Sequence, residues 1–257
     1  MALLEDLIAA AGSTDVPVRE IVTGPDWIMV TAAGSGVAAR ISRASADTPA
    51  PETPGLSFAN LAGEFRNRPL GDLLSLASSS DRSEASLGVA ALNSALSAGQ
   101  PAARPRSFAI PRAGGKTVAA IGEFAFIEDL KRIADRVLTF GAGPDEPRID
   151  AEAGLDAGPD RQAPDQALAA ADIAIIRGST LVSGTLESWL ARTDHCYTVV
   201  YGPTTPLSPL LFEYGADQLV GVSVNIADVT ADWIREGRND LPACPGVRPM
   251  VIGREQG

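Results

Sequence analysis

Two patterns of apolar positions divide the chain. In residues 2–12, Leu3, Leu4, Leu7, Ile8 and Ala11 recur on one helical face, and Gly12 ends the run. Residues 18–22, 27–31 and 37–42 form three short β-like runs. Gly24-Pro25-Asp26 and Gly34-Ser35-Gly36 separate them, which predicts an antiparallel meander with tight turns. A Pro-rich loop containing Pro49, Pro51 and Pro54 follows. Beyond it, Asp81 and Glu84 are spaced as a capping box ahead of Leu87, Ala90, Ala91, Ser94 and Leu96. This first unit is predicted to be α+β.

The second pattern begins near residue 116. Short Val/Ile/Ala runs at 118–121, 137–140, 173–176, 197–201 and 219–224 are bounded by glycine. Helical stretches at 126–136, 166–171, 186–192 and 209–214 alternate with them, and another at 229–235 follows the last. Near-continuous apolar runs mean strands covered on both faces, hence a parallel sheet. Repeated strand–helix alternation predicts an α/β, doubly wound sheet of about five strands. Residues 97–115, rich in proline and glycine, contain the linker. The expected division is 1–100 for the α+β unit, 101–115 for the linker, 116–240 for the parallel-sheet unit and 241–257 for a C-terminal tail.

Composition narrows the function. The chain has 257 residues, 45% of them hydrophobic, enough for one large or two small packed cores. Lys+Arg number 21 against 32 Asp+Glu, a net charge of −11 that repels phosphate backbones and argues against a general nucleic-acid binder. The opening MALLEDLIAAAGSTD carries Glu5 and Asp6 and does not read as a signal peptide. The uncharged stretch 196–212 is broken by Pro203, Pro206 and Pro209 and does not suit a membrane helix. Two cysteines are too few for a disulfide framework. The expectation is a cytoplasmic protein whose partner is a small-molecule or metal ligand, with no nucleic acid and no membrane; a homodimer is compatible with the sequence.

In open α/β sheets ligands bind beyond the carboxyl ends of the strands. Those ends here are Gly122-Glu123-Phe124, Gly141-Ala142-Gly143, Arg177-Gly178-Ser179-Thr180 and Gly202-Pro203-Thr204-Thr205. The third runs from strand through a glycine and hydroxyl turn into a helix, the arrangement of an anion site, with Arg177 as a nearby cation. Ser179 or Thr185 could equally cap that helix. No dinucleotide or P-loop motif is present, since GEFAFIED follows the first strand and Lys116 precedes it. His195, the one histidine, lies beside Cys196 at the amino end of a strand. Strand alternation predicts opposite directions for the two and no shared ion. Acid–base chemistry would fall to Glu123, the candidate for a catalytic role or a metal ligand. Asn93 is expected as a partly buried polar group on its helix.

The strings AADIAIIRGSTLVSGTLESWL, VVYGPTTPLSPLLFEYGADQLVG and IREG, with SLGVAALNSAL upstream, resemble the heavy-metal chelation domain family, long catalogued as a domain of unknown function. The resemblance implies a Rossmann-like C-terminal domain behind a domain resembling the enolase N-terminal fold. It also implies a ligand site in the cleft between them. Matching positions are Asn93, Gly122, Gly178, Ser179, Thr180, Gly202, Pro203, Thr204 and Thr205. The sequence departs from the family pattern in four places. Glu123 replaces a histidine, Arg177 replaces a threonine, Ser183 replaces an asparagine, and Gly141 stands near a usual glutamate. Two metal-seeking groups are thereby lost and a cation gained, which shifts the expectation from a bare metal towards an anionic or metal–organic ligand. Whether any reaction is catalysed stays open. One reading is a protein that binds a heavy metal or metal complex in the cleft. The alternative is a Rossmann-like enzyme acting on a small phosphorylated or carboxylated ligand held at residues 178–180 and 202–205.

Overall fold

The computed structural model describes residues 2–12, 14–41, 63–98, 113–141 and 168–254. The Pro-rich loop, most of the linker, Ala142-Gly143 and the first two residues of the stretch 166–171 lie outside them.

Helix α1 (Ala2–Ala10) buries Leu3, Leu4 and Leu7, and Gly12 follows it at φ +76°. Strands β1 (Glu20–Thr23), β2 (Trp27–Thr31) and β3 (Ser35–Ala39) form the expected antiparallel meander in the order β1-β2-β3. Alternation along β2 gives this sheet two dry faces. Ile28 and Val30 join the main core with α1, α2 (Leu70–Leu74) and α3 (Arg82–Ser97). Trp27 and Met29 point the other way, into a cluster with Val37, Ala231, Ile234, Leu241 and Cys244 from the far end of the chain.

At the start of α3, Asp81 Oδ1 accepts from the N–H groups of Ser83 at 2.8 Å and Glu84 at 3.2 Å. The reciprocal half of the capping box is not made. Glu84 Oε2 instead accepts from Ser79 Oγ at 2.5 Å, and Ser79 Oγ accepts from the Asp81 N–H at 3.1 Å. From Ala85 to Leu92 every residue of α3 is buried. The helix is therefore packed on all sides instead of presenting one apolar stripe.

The large sheet comprises β4 (Thr117–Ile121), β5 (Arg136–Phe140), β6 (Ile173–Arg177), β7 (Tyr197–Tyr201), β8 (Gln218–Val224) and β9 (Val247–Gly253) in the order β5-β4-β6-β7-β8-β9. The first five are mutually parallel, as the alternation implied. The sixth corrects the expectation of about five parallel strands: β9 pairs antiparallel with β8 over seven residues. Its sequence VRPMVIG carries Pro249 and reads as tail, but proline is tolerated at a sheet edge, and β9 is the edge strand. Leu130 of α4 (Ile127–Ile133) packs on one face against Val118, Ala120 and Ile175. The other face, with Ala119, Ile121, Ile176 and Val200, packs on α5 (Leu186–Arg192), α6 (Leu210–Glu213) and α3. The sheet thus has helices on both sides.

Helix α7 (Ala227–Arg235) leaves the large sheet and lies on the meander, where Gly24 admits the carbonyl of Ile234; a Cβ there would stand 2.3 Å from that oxygen. Trp27 Nε1 donates to Asn239 O at 2.8 Å. At the other end, α1 is tied to the large sheet's helices by Tyr214, whose hydroxyl donates to Asp6 at 2.5 Å. Among the described residues, no helix is long and apolar enough to cross a membrane.

Candidate functional site

Strand order puts β4 between β5 and β6. The chain therefore leaves β4 towards one neighbour and crosses back to the other, which opens a crevice beyond the carboxyl ends of β4 and β6. Gly122 closes β4 at φ +99°, and its N–H donates to Phe140 O at 2.9 Å. A Cβ on Gly122 would lie 2.9 Å from the Arg177 Cβ and 3.2 Å from its Cδ. Glycine is needed there both for the backbone conformation and for the arginine to lie across it. Arg177 is half-buried, and among the described residues no carboxylate pairs with it. Glu123 is exposed and does not pair with Arg177. Just after β4, the rings of Phe124 and Phe126 pack with Tyr201, with centroids 5.1–5.9 Å apart. Burial, reinforced by Asp240, pushes the Tyr201 phenol above its ordinary range.

The hydroxyls after β6 are used locally. Thr180 Oγ1 donates to Arg177 O at 2.7 Å, and Ser183 Oγ to Thr180 O at 3.1 Å. No side chain caps α5, so the expectation that Ser179 or Thr185 does so is not met. Thr185 turns back towards Thr180 O at 3.4 Å instead. Ser179 is half-buried, and its carbonyl accepts from the Ser183 N–H at 3.2 Å.

The loop after β7 is built differently. Gly202 at φ +121° turns the chain, and the Thr205 N–H closes the turn on Gly202 O at 3.0 Å. Gly178 meets this loop so closely that a Cβ would stand 2.5 Å from Thr205 Oγ1 and 2.7 Å from its nitrogen. Thr204 Oγ1 accepts from the Ala39 N–H at 2.9 Å. The amide of Asn93 then joins three elements: its Nδ2 donates to Val37 O at 2.8 Å and to Thr204 O at 3.0 Å. Both partners are carbonyls, so the amide orientation is fixed by chemistry. Gly36 allows β3 to lie against α3, since a Cβ would fall 2.0 Å from the Ser94 nitrogen.

At this junction lies a cavity of about 90 Å³, lined by Asn93, Ser97, Pro203, Thr205, Val222 and Met250 among others. Thr205 is only 2% exposed, and its Oγ1 has no protein partner. The Asn93 Oδ1 is likewise buried and without one. None of the described residues that line the cavity is charged.

The structure therefore brings the expected residues together in two groups. Gly122 and Arg177 stand at the β4–β6 crevice with Glu123 exposed beside them. Asn93, Pro203, Thr204 and Thr205 form the junction with the meander, and Gly178 is the contact between the two. Val222, Ser223 and Met250 also line the cavity, and sequence reasoning missed them. Met250 sits on the unexpected β9, and Val222 and Ser223 lie within the apolar run of β8, before its carboxyl end.

Among the described residues, no three His, Cys, Asp or Glu side chains cluster as a metal would require. His195 and Cys196 do approach each other, with Nε2 and Sγ 3.4 Å apart, against the expectation that they diverge. They precede β7 in a turn, where strand alternation does not apply. Burial, with help from Asp172 and Asp194, pushes the Cys196 thiol up to about 11, and its Sγ lies 3.3 Å from Ala171 O. Such a thiol is a poor ligand at neutral pH. Cys244 is buried as well.

Two family profiles match the chain, one over residues 106–241 and one over residues 4–96, and both carry the description "Putative heavy-metal chelation". The chain belongs to this family. Among solved structures, it resembles a DUF364-family protein of unknown function from Desulfitobacterium hafniense DCB-2. The TM-score is 0.75 at 20% identity, covering 98% of this chain and 97% of that one. A second family protein of unknown function, from Pyrococcus horikoshii, matches with TM-score 0.67 at 19% identity over 98% of both chains. At such identities the likeness establishes the fold. No curated protein matches the chain.

Proposed function

We propose that this family member binds a metal carried in a small organic complex, in the cleft where α3 and β3 meet the loop after β7 and the end of β8. The two units are read as a Rossmann-like domain and a smaller domain resembling the enolase N-terminal fold. Their contact through Asn93 and Thr204 forms the floor of the cleft. The observation that carries the reading is the cavity at this contact, lined by Val37 and Asn93 from one unit and by Pro203 and Thr205 from the other. The family description supplies the metal. The scarcity of ligating side chains among the described residues favours a metal that arrives with its own ligands over a bare ion.

Calorimetric titration of metal-stripped protein tests this. Free Zn²⁺, Co²⁺ and Ni²⁺ form one arm, and the same ions as citrate or histidine complexes form the other. Binding of the complexes, weakened at least tenfold by Ser223→Trp at the cavity wall, is the expected result. Binding of free ions with equal affinity would overturn the metal-complex reading.

A second reading rests on Arg177, which has no carboxylate partner among the described residues and faces the β4–β6 crevice. There the protein would act on a small phosphorylated or carboxylated ligand, with Glu123 as acid or base. Binding of phosphate that weakens with rising salt and disappears in Arg177→Ala would favour it.

A further inference from the structure

Strand β9 lies beyond the residues that either family profile matches, yet it supplies part of the cavity wall. Its pairing with β8 sets Gly221 opposite Met250 and Ser223 opposite Arg248. Directly opposed residues of an antiparallel pair project from the same face, and so do residues two apart on one strand. Gly221 marks that face as the one towards the cavity. A Cβ there would stand 2.9 Å from Leu207, and Leu207 and Met250 both line the cavity and belong to the main core. Val222 and Val224 pack on the opposite side, with the cluster around Trp27. Arg248 therefore shares a face with Met250, about 7 Å further along β9, and stands beside Ser223 of the cavity lining.

This places an arginine at the rim. Arg248 is exposed and makes no ion pair among the described residues, in a chain of net charge −11. Pro249 follows it and favours extended backbone at Arg248, so the side chain keeps the alternation of the strand. The described residues that line the cavity itself are uncharged. An anionic group drawn fully inside would give up water with no opposite charge to replace it. At the rim the same group keeps water on one side and meets a guanidinium on the other. The planar N–H fork of arginine matches the paired oxygens of a carboxylate or phosphate. A bare cation is repelled there.

We infer that Arg248 is a specificity-determining residue of the cleft, holding a carboxylate or phosphate group of the ligand at the rim of the cavity. This rests on the cleft being the ligand site. It deepens that reading, because it selects anionic metal complexes over neutral ones.

The experiment is calorimetric titration of full-length, metal-stripped protein with two nickel complexes, the anionic citrate complex and the neutral bis-histidine complex. Free citrate and inorganic phosphate run beside them, and whichever competes with the citrate complex identifies the group that Arg248 grips. The citrate complex should bind about tenfold more tightly than the histidine complex, the effect of one charge-assisted contact. Arg248→Ala should abolish that margin and leave the histidine complex unchanged. Arg248→Lys, which keeps the charge and loses the fork, should retain part of it. Citrate-complex affinity should fall as NaCl rises from about 50 to 500 mM, more steeply in wild type than in Arg248→Ala. Being exposed and unpaired, Arg248 can be replaced without lowering the melting point, and the citrate–histidine comparison needs no variant.

Equal affinities for the two complexes, or a citrate affinity untouched by Arg248→Ala, would overturn the inference. If Ser223→Trp still blocked both complexes, the cleft reading would stand without it. Loss of the citrate margin in Arg177→Ala instead would place the anion at the β4–β6 crevice and overturn it as well. Free citrate or phosphate binding as tightly as the complex, and only with Arg248 present, would keep the anion grip and overturn the metal reading. No binding by any of the four probes would overturn both.

Discussion

The loops after β6 and β7 are made from the same materials, Gly178-Ser179-Thr180 and Gly202-Pro203-Thr204-Thr205, yet their side chains serve different ends. After β6 the Thr180 and Ser183 hydroxyls satisfy carbonyls of their own loop, and Arg177, half in solvent, makes no ion pair among the described residues. After β7, Thr204 reaches the meander, and Thr205 is buried with nothing in the protein to bond. The first loop is a self-contained turn beside a charge. The second is a joint between two sheets with a neutral pocket at its side. Adjacent strand ends in one sheet can thus provide a cationic crevice and a neutral one. Which becomes which depends on what packs against them.

Changes at the joint should cost far more than changes at the crevice. Gly36→Ala is expected to have the largest effect. A methyl 2.0 Å from the Ser94 nitrogen and 2.6 Å from Ala90 O must push β3 off α3, at about 3 kcal/mol or more, read as a lower denaturation midpoint. Gly253→Ala, with nothing within 4 Å of the added carbon, is the matched control and should be near neutral.

Asn93→Ala leaves Val37 O and Thr204 O without their donor. Chemical denaturation should show a loss of about 2–4 kcal/mol, given about 1–3 for each buried group left unpaired. Gly178→Ala strikes the contact between the two loops and should cost about 1–3 kcal/mol by overpacking against Thr205. If Gly178→Ala proved neutral, the two crevices would be mechanically independent.

A weaker effect is expected at the far side of the joint, where Asp6 accepts the Tyr214 hydroxyl. That hydrogen bond, the largest cause, pushes the exposed phenol from its ordinary 10.0 up to about 12. A phenol pKa raised by folding stabilises fully below pH 10 and loses that contribution as pH climbs from 10 towards 12. Melting curves of wild type should fall more steeply across that interval than those of Tyr214→Phe, by a small margin given the exposure. Arg177→Ala should be the mildest, within about 0.5 kcal/mol of wild-type stability, because the side chain makes no ion pair among the described residues. A larger loss would mean that the crevice, too, is a structural joint.

Several elements are legible in local pattern. The span 186–192 is helical at those residues and 197–201 is a strand at those residues, because each is a short, strongly patterned run bounded by glycine, threonine or charge. The meander is legible from its two glycine-bearing turns. Other elements are hidden for physical reasons. Strand β9 is obscured by Pro249, whose missing N–H is harmless only at an edge that sequence does not reveal. Glu123 reads as a crevice residue from its place after β4, but the side chain faces solvent. Asn93 can be marked as a partly buried polar group on α3. Its partners, 56 and 111 residues away, cannot be named from pattern.

The sequence by itself determined the alternation of strands and helices, the parallel sheet and the glycine-rich strand ends, because these follow from local periodicity and from what glycine and proline permit. It also carried the family likeness. Tertiary structure alone decided that the C-terminal segment closes the second face of the N-terminal meander, and that β3 and α3 press on the loop after β7. It also buried Asn93 Oδ1 and Thr205 Oγ1 without a hydrogen-bond partner and opened a cavity between the two units. A hydroxyl or amide at a given position is the same group in every fold. Whether it caps, bridges or waits for a ligand depends on long-range contacts that local pattern does not encode.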